Sequence, residues 1–186
     1  MTFLLLVSMG SSASAGGATG GEDTNPGTDV PFTVLERTTP SQDQTTWSLS
    51  VELSQEAKDN GTTALITTQI CLNNGVCDPP VDHDVGGENG VYTMELKPPS
   101  DHSYVNWRVK ALYADDTTEN FPNGDWYKTW STCYYNDGAY GGIHAEGDGC
   151  NVPAGEEGEG VLPALGIGLV LATVAMAMAA RFVRNG

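Results

Sequence analysis

The most constraining feature of this chain is an apolar run near its carboxyl end. The run covers residues 161–180, has no charged residue, and includes a single hydroxyl side chain, that of Thr173. A helix of about 20 residues rises roughly 30 Å, enough to cross the hydrocarbon core of a bilayer. Arg181 and Arg184 follow the run, and basic residues that flank a span tend to stay in the cytoplasm. We therefore predict a single transmembrane helix with the preceding residues outside the cell and residues 181–186 as a cytoplasmic tail.

The amino-terminal end predicts export from the cell. Residues 3–9 form a short apolar core, and Ala13-Ser14-Ala15 has the small-x-small pattern at which signal peptidase cleaves. We therefore predict a signal peptide over residues 1–15. No Lys or Arg precedes the apolar core, so a frayed apolar tail stays open as the alternative, and so does the choice of start codon.

The charge balance narrows the classes of partner. The chain has 24 Asp and Glu against 8 Lys and Arg, for a net charge of −16. All 24 acidic residues and six of the basic ones (8 − 2) precede the apolar run, so the predicted external part carries 6 − 24 = −18. Such a negative field opposes binding to nucleic acid and to anionic lipid surfaces. It is typical of a soluble exterior domain, of a protein in a saline medium, or of one that binds divalent cations.

Four cysteines in an exported chain predict two disulfide bonds, for which three pairings are open. Spacing favours one pairing, because a three-residue Asn73-Asn74-Gly75 hairpin loop would place Cys71 directly opposite Cys77. Opposed strand residues lie within the Cα separation that a disulfide spans. Cys133 and Cys150 would then close the glycine-rich loop between them. A zinc site built from these cysteines is the alternative, although no Cys-x-x-Cys motif supports it.

Between the two ends, the sequence predicts one β domain. Residues 16–31 are rich in Gly, Thr, Asp and Asn and predict a flexible leader, and residues 151–160 predict an acidic Gly/Glu stalk. The domain therefore covers residues 32–150, which is long enough for a core of its own. Its predicted strands are Phe32–Arg37, Thr46–Leu53, Ala64–Leu72, Val91–Leu96, Tyr104–Tyr113, Thr117–Phe121 and Trp126–Cys133.

Alternation within these segments predicts which face of each strand is buried. In Tyr104–Tyr113, the residues Val105, Trp107 and Val109 alternate with polar residues, as in a strand with one face on the core. No part of the domain shows helical periodicity, and residues 54–58 would form one helical turn at most. Seven or eight such strands with regular turns predict an all-β, two-sheet sandwich.

A family resemblance supports the same architecture. Leu96-Lys97-Pro98 followed by Val105-x-Trp107-x-Val109-x-Ala111 resembles the corner and penultimate strand of fibronectin type III and related immunoglobulin-like domains. Trp47 resembles the core tryptophan of an early strand in that family. The layout of signal peptide, β domain, acidic stalk and terminal helix also resembles that of single-pass surface proteins of archaea. These resemblances imply an immunoglobulin-like ectodomain anchored in the cell membrane.

A crowded set of aromatic residues is the candidate binding surface. Exposed rings stack on sugars or anchor protein partners, whereas buried rings contribute to the core. Both interpretations are open, because one face of the segment is expected to point inward. The candidate ligand-binding residues are Trp126, Tyr127, Trp130, Tyr134, Tyr135 and Tyr140.

An acidic loop and a sequon are the other candidate sites. Asp78, Asp82, Asp84 and Glu88 fall in a stretch rich in Pro and Gly, and carboxylates on a turning backbone are the ligands that calcium prefers. A solvated acidic loop is the alternative, and no other cofactor is predicted. Asn60-Gly61-Thr62 is a glycosylation sequon in a predicted turn.

These observations predict a membrane-anchored surface module for binding or adhesion, without catalytic activity. Its partners would be the membrane and a surface glycan or protein, not nucleic acid, and its oligomeric state is open. One alternative is a structural cell-envelope or spacer protein without a specific ligand. Another is an extracellular hydrolase with a pocket around His83, His102 or His144, although no catalytic motif is present.

Overall fold

The computed structural model describes residues 20–153, which contain twelve β-strands and one short helix, α1 (Gln55–Asp59). The strands are β1 (Phe32–Arg37), β2 (Trp47–Leu53), β3 (Thr63–Leu72), β4 (Val81–His83), β5 (Val91–Leu96), β6 (His102–Leu112), β7 (Thr118–Phe121), β8 (Tyr127–Trp130), β9 (Tyr134–Asn136), β10 (Ala139–Gly141), β11 (Ala145–Glu146) and β12 (Gly149–Cys150).

Several predicted segments lie outside the described residues. They are the signal peptide (1–15), the transmembrane span (161–180), the cytoplasmic tail (181–186) and most of the stalk (151–160). Within residues 20–153, no helix is both long enough and apolar enough to span a bilayer.

The smaller of the two main sheets has the strand order β1-β2-β5, and its pairs are antiparallel. In the central strand β2, Trp47, Leu49 and Val51 are fully buried, while Ser48 and Ser50 are only partly covered on the other face. This period of two is what a strand with one buried face requires. The structure confirms the strand predicted from the alternation at residues 46–53 to within one residue.

The larger main sheet is built around β6. One edge of β6 pairs with β3, and β3 pairs in turn with the short strand β4. The other edge pairs with β8 over Tyr104–Trp107 and with β7 over Val109–Leu112. β7 and β8 therefore act as two halves of one edge strand that is interrupted between residues 122 and 126.

The inner faces of the two sheets share one hydrophobic core. Trp47 from the smaller sheet and Trp107 from the larger are completely buried, and Phe32 packs edge-on against Phe121 at a centroid distance of 6.2 Å. Large buried rings of this kind each remove roughly 150–250 Å² from water and dominate core energetics. The two main sheets contain three and five strands, so the domain is mostly β, as predicted, and has the two layers expected of a sandwich.

The helix α1 is a single turn, as the sequence predicts. The Ser54 hydroxyl accepts a hydrogen bond from the Ala57 N–H at 3.2 Å and so caps the helix. Ala57 is the buried residue of the turn, and Asn60 ends it. The sequon asparagine therefore lies at an exposed helix end.

The segment after β8 contains more regular structure than the sequence analysis predicts. β9 pairs with β10, and β11 with β12, in two short antiparallel hairpins. Asp137 and Gly138 join β9 to β10 with φ values of 50° and 88°. Positive φ at both central residues is the requirement of the type I′ turn, for which Asp-Gly is a preferred sequence. Asp137-Gly138 is therefore a sequence signal for a β-hairpin, and the strand prediction did not use it.

The predicted flexible leader also differs from the structure. Thr24 forms an isolated antiparallel bridge with Lys128 of β8, with backbone N–O distances of 3.1 and 3.4 Å. The Asp23 carboxylate accepts hydrogen bonds from the Arg37 guanidinium at 2.9 Å, the Thr39 hydroxyl at 2.6 Å and the Trp130 backbone N–H at 2.8 Å. Residues 22–24 are therefore held along the outer edge of β8 by the Thr24 bridge and by the Asp23 carboxylate, which composition alone does not indicate.

Both predicted disulfide pairings are present. Cys71 and Cys77 form an antiparallel bridge with a Cα separation of 4.0 Å, and the Leu72 N–H bonds to the Val76 carbonyl, as the three-residue loop predicts. Gly75 supplies the positive φ of 82° that this loop needs. Cys133 and Cys150 are joined with a Cα separation of 5.8 Å. No cysteine is left free, so no thiolate remains for the alternative zinc site.

We expect the disulfide of Cys133 and Cys150 to contribute more stability than that of Cys71 and Cys77, because it closes the longer loop. In the chain-entropy model, replacing the first pair by serine costs about 3 kcal/mol and the second about 2 kcal/mol. All four tryptophans lie within residues 47–130, so tryptophan fluorescence follows unfolding of this domain in the full chain. Equal losses for the two double variants would contradict the loop-length argument.

Candidate functional site

The best candidate surface is the outer face of β6 and β8. Because Val105, Trp107 and Val109 point into the core, the alternate residues of β6 point outward. The same parity places Lys128 and Trp130 of β8 on that outer face, opposite Asn106 and Tyr104. We call the set Tyr104, Arg108, Trp126, Lys128, Trp130 and Tyr134 the aromatic–cationic face.

Each cation of this face lies against aromatic rings. The Arg108 guanidinium carbon is 4.3 Å from the ring centroid of Trp126, and the Lys128 ammonium is 4.0 Å from that of Tyr104 and 5.0 Å from that of Trp130. A cation within about 6 Å of a ring face gains roughly 0.5–2 kcal/mol, depending on desolvation. The rings therefore hold both cations in place.

Neither of these cations forms an ion pair with a carboxylate of the described residues, although Asp125 acts on Lys128 and Arg108 acts on Asp82 at longer range. Arg37, Lys58 and Lys110 each form an ion pair with Asp or Glu, but Arg108 and Lys128 form none within residues 20–153. That part of the chain has 21 acidic residues (24 − 3) against six basic ones. Two such cations on one face are therefore a local exception to a negative surface.

Burial lowers the pKa of two cations, Lys128 and Arg37. Partial burial lowers the pKa of Lys128, and the nearby Asp125 carboxylate opposes that effect. Burial also lowers the pKa of Arg37, with Asp23 acting in the opposite direction. A partly buried ammonium is less hydrated than an exposed one, so a negative partner stabilises its charged form more strongly.

The six predicted aromatic residues do not form one surface. Tyr127 points into the core, is 6 % exposed and lies 4.7 Å from Trp107 by ring centroids. Trp130 is on the outer face but is covered by Tyr104, Tyr134 and the carbonyl of Glu22, which accepts a hydrogen bond from its indole. Trp126 and Tyr134 are half-buried on that face.

Tyr135 and Tyr140 form a second aromatic position on the β9–β10 hairpin. Their residues are cross-strand partners, and their rings meet edge-on with centroids 5.1 Å apart. Tyr135 is 40 % exposed, so this pair is accessible to solvent. The sequence therefore identified the exposed rings together with buried ones, because neighbours along a strand point to opposite faces.

A buried serine, histidine and aspartate are connected as in a catalytic triad. The Ser41 hydroxyl lies 2.8 Å from Nε2 of His102, and Nδ1 of His102 is hydrogen-bonded to the Asp43 carboxylate. The same carboxylate accepts hydrogen bonds from the backbone N–H groups of Asp101 and His102 at 3.0 and 3.3 Å. Sequence analysis picked out His102 but not its partners, because a separation of about 60 residues carries no motif.

The surroundings of this group favour a structural role. Ser41 and His102 have no exposed surface, and the Ser41 hydroxyl also lies 3.2 Å from the Trp130 carbonyl. An open cavity of about 260 Å³ is bordered by Asp43 but not by Ser41 or His102. A nucleophile needs contact with substrate, which this packing does not provide. The three residues instead join the β1–β2 loop to the start of β6 and the end of β8.

The other two histidines lie elsewhere. His83 is on the edge strand β4, with Nε2 2.8 Å from the Thr68 hydroxyl. His144 is half-buried in the segment between β10 and β11, where its carbonyl accepts a hydrogen bond from Asn151. The described residues therefore do not assemble the three histidines into one pocket.

The predicted calcium ligands are not brought together either. The Asp82 carboxylate bonds to the Lys110 ammonium and the Thr67 hydroxyl, both at 2.7 Å. Glu88 lies in a tight turn bridged to Val91, away from that pair. Among residues 20–153, no group of three or more His, Cys, Asp or Glu side chains is arranged to hold a metal ion.

Comparison with known proteins adds no family assignment. No protein-family model matches the chain, and no curated protein is significantly similar to it. The site must therefore be interpreted from its own geometry.

We expect Ser41 to be inert and Asp43 to be structurally essential. Fluorophosphonate should not label Ser41 in the folded chain, because its hydroxyl is inaccessible; labelling that disappears in Ser41→Ala would support the hydrolase alternative. Asp43→Ala leaves two buried donors of His102 and the backbone N–H of Asp101 without their acceptor and should cost about 3 kcal/mol, against about 1–2 kcal/mol for Ser41→Ala. Thermal unfolding followed by tryptophan fluorescence measures both losses.

We expect Asp82 to make stability depend on pH in the acid range. Hydrogen bonds from Lys110 and then Thr67 lower the pKa of Asp82 below its ordinary value of 3.8. Its contribution is therefore present above about pH 4 and is lost as the pH falls below that value. Because the side chain is 42 % exposed, Asp82→Asn should cost less than about 1 kcal/mol at pH 7. The difference in stability between the two proteins should shrink as the pH falls below about 4; a difference that does not shrink would contradict the assignment.

Proposed function

We propose that this chain is a single-pass membrane protein that presents a binding or adhesion module outside the cell and has no catalytic activity. The apolar run at residues 161–180 supports the anchor, and two disulfides are typical of an oxidising, external compartment. The observation that carries the proposal is the aromatic–cationic face. It holds two cations that form no ion pair within the described residues against aromatic rings, on the outer face of a sheet whose inner face already forms the core.

The strand order supports an immunoglobulin-like ectodomain. Strands β1, β2 and β5 form one sheet, as the first, second and fifth strands do in immunoglobulin domains. In the constant-type arrangement the fourth strand joins that same sheet, whereas β4 pairs with β3 in the other sheet. This difference leaves the fibronectin type III resemblance as the better description of the domain.

The alternatives receive less support. A structural spacer has no need for cations that are placed on rings and left without carboxylate partners. A hydrolase would need access to Ser41, whose surroundings are closed. Calcium dependence has no assembled ligand set among the described residues to support it.

We expect loss of the Trp126 ring to weaken adhesion. A host strain that lacks this protein should adhere poorly to surfaces or to other cells, and the wild-type chain should restore adhesion. Trp126→Ala should restore it incompletely, because binding weakened by about 1.4 kcal/mol or more is at least about tenfold weaker.

Leu35→Ala is the matched control. Leu35 is 53 % exposed on β1 of the other sheet and should leave adhesion unchanged. Surface levels of each variant are compared with an epitope tag. Full adhesion by Trp126→Ala would remove this face from the binding site, and a cell-envelope defect that both variants repair would support the structural alternative.

A further inference from the structure

We propose that the aromatic–cationic face binds an extended saccharide chain that carries carboxylate groups. This inference rests on the proposed function, because it names the class of ligand for the same surface.

The side chains of Arg108 and Lys128 are already positioned to bind an anionic partner. Within the described residues, neither the Arg108 guanidinium nor the Lys128 ammonium forms an ion pair, and each is held by ring faces instead. Long basic side chains normally lose rotamer freedom when they bind, and the rings have already restricted these two. A carboxylate at ion-pair distance is what both cations lack among the described residues.

The spacing of the cations suits a linear ligand. The Lys128 ammonium lies over the Tyr104 ring, and the Arg108 guanidinium lies over the Trp126 ring. Extending the register between β6 and β8 by one residue places Trp126 opposite Arg108. Residues 104 and 108 are four positions apart on β6, so their Cα atoms are separated by roughly 13 Å along the strand, and the two cations lie over the rings at these two positions of the paired strands. A compact anion reaches one of them, whereas a chain with repeated acidic groups reaches both.

The surface between the cations is polar and hydrogen-bonding. Asn106 lies between Tyr104 and Arg108 on the outer face, and its amide N–H donates to the Gln69 side chain at 3.0 Å. Asn106 itself is only 6 % exposed, so the partly exposed Gln69 amide is the group here that a saccharide hydroxyl can contact.

The composition of the face favours a saccharide over a protein partner. Protein interfaces depend on a desolvated apolar centre with a few large anchors. On this face the rings are covered by cations, and the large apolar side chains that the described domain exposes most belong to other positions: Leu35, Val76, Val81, Tyr135 and Ile143. A ligand rich in hydroxyls and carboxylates fits this surface better.

The test compares one polymer with and without its charge. The full chain in neutral detergent is titrated with polygalacturonate and with its fully methyl-esterified form, which keeps the sugar backbone and removes the carboxylates. A salt concentration near 0.15 M limits repulsion from distant acidic residues, because charges are screened beyond about 8 Å. We expect the acid form to bind at least tenfold more tightly than the ester.

Matched variants identify the cations responsible. The double variant R108Q/K128Q should raise the Kd for polygalacturonate at least tenfold. K58Q/K97Q removes the same number of positive charges from outside the aromatic–cationic face and should change the Kd less than twofold. K128R should retain binding, because arginine also stacks on rings and binds carboxylates. Tryptophan fluorescence unfolding confirms that each variant is folded.

The outcomes separate this inference from the proposed function. Equal binding of acid and ester, or equal effects of the two double variants, overturns the anionic ligand. If the ester binds and Trp126→Ala weakens that binding, the surface is still a binding site and only its preference for carboxylates is refuted. Absence of binding to either polymer also overturns the inference, and the adhesion assay then decides the proposed function alone.

Discussion

The structure depends on the two-sided pairing of β6. This strand is hydrogen-bonded along both edges, to β3 on one side and to β7 and β8 on the other. Its inward residues, centred on Trp107, complete the core with the smaller sheet, and its outward residues build the candidate binding face. Because the side-chain period of a strand is two, a slip of one residue in β6 would exchange these two roles. The core and the candidate binding face therefore depend on the same register.

Two polar anchors attach segments that the hydrophobic core does not reach. Asp23 holds the amino-terminal segment against β8 through three hydrogen bonds, and Asp43 holds His102 and two backbone N–H groups at the start of β6. Carboxylates that lose hydration are costly unless they are well bonded, and the partly buried Asp23 and the buried Asp43 each have several donors. Each anchor joins residues that are far apart in sequence, so it fixes loops as well as strands.

Much of the fold could be predicted from local patterns. The alternation in β2 and β6 gave the correct strands and the correct inward faces, and the three-residue loop at residues 73–75 gave the disulfide of Cys71 and Cys77. The order of strands within the sheets could not be derived in this way, because it depends on which edges meet in space. The three-residue strand β4 carries too little pattern to be recognised.

The sequence predicted most of the aromatic residues of the candidate site but not its cations. Trp126 and Trp130 were found by crowding of aromatic residues, but their cationic partners Arg108 and Lys128 belong to two strands whose pairing register the sequence did not reveal. The same reason hid the connection of Ser41 to His102. Composition likewise predicted a flexible leader, because it does not show that the Asp23 carboxylate has three donors within reach.

The interrupted edge strand also affects how neighbouring copies of this domain behave when crowded. A long, flat row of unpaired backbone groups at a sheet edge templates the addition of strands from other molecules. In the larger sheet, one edge is the three-residue strand β4, and the opposite edge is broken after Phe121 and bridged by Thr24 alongside β8. That sheet therefore offers little continuous backbone for extension into fibrils.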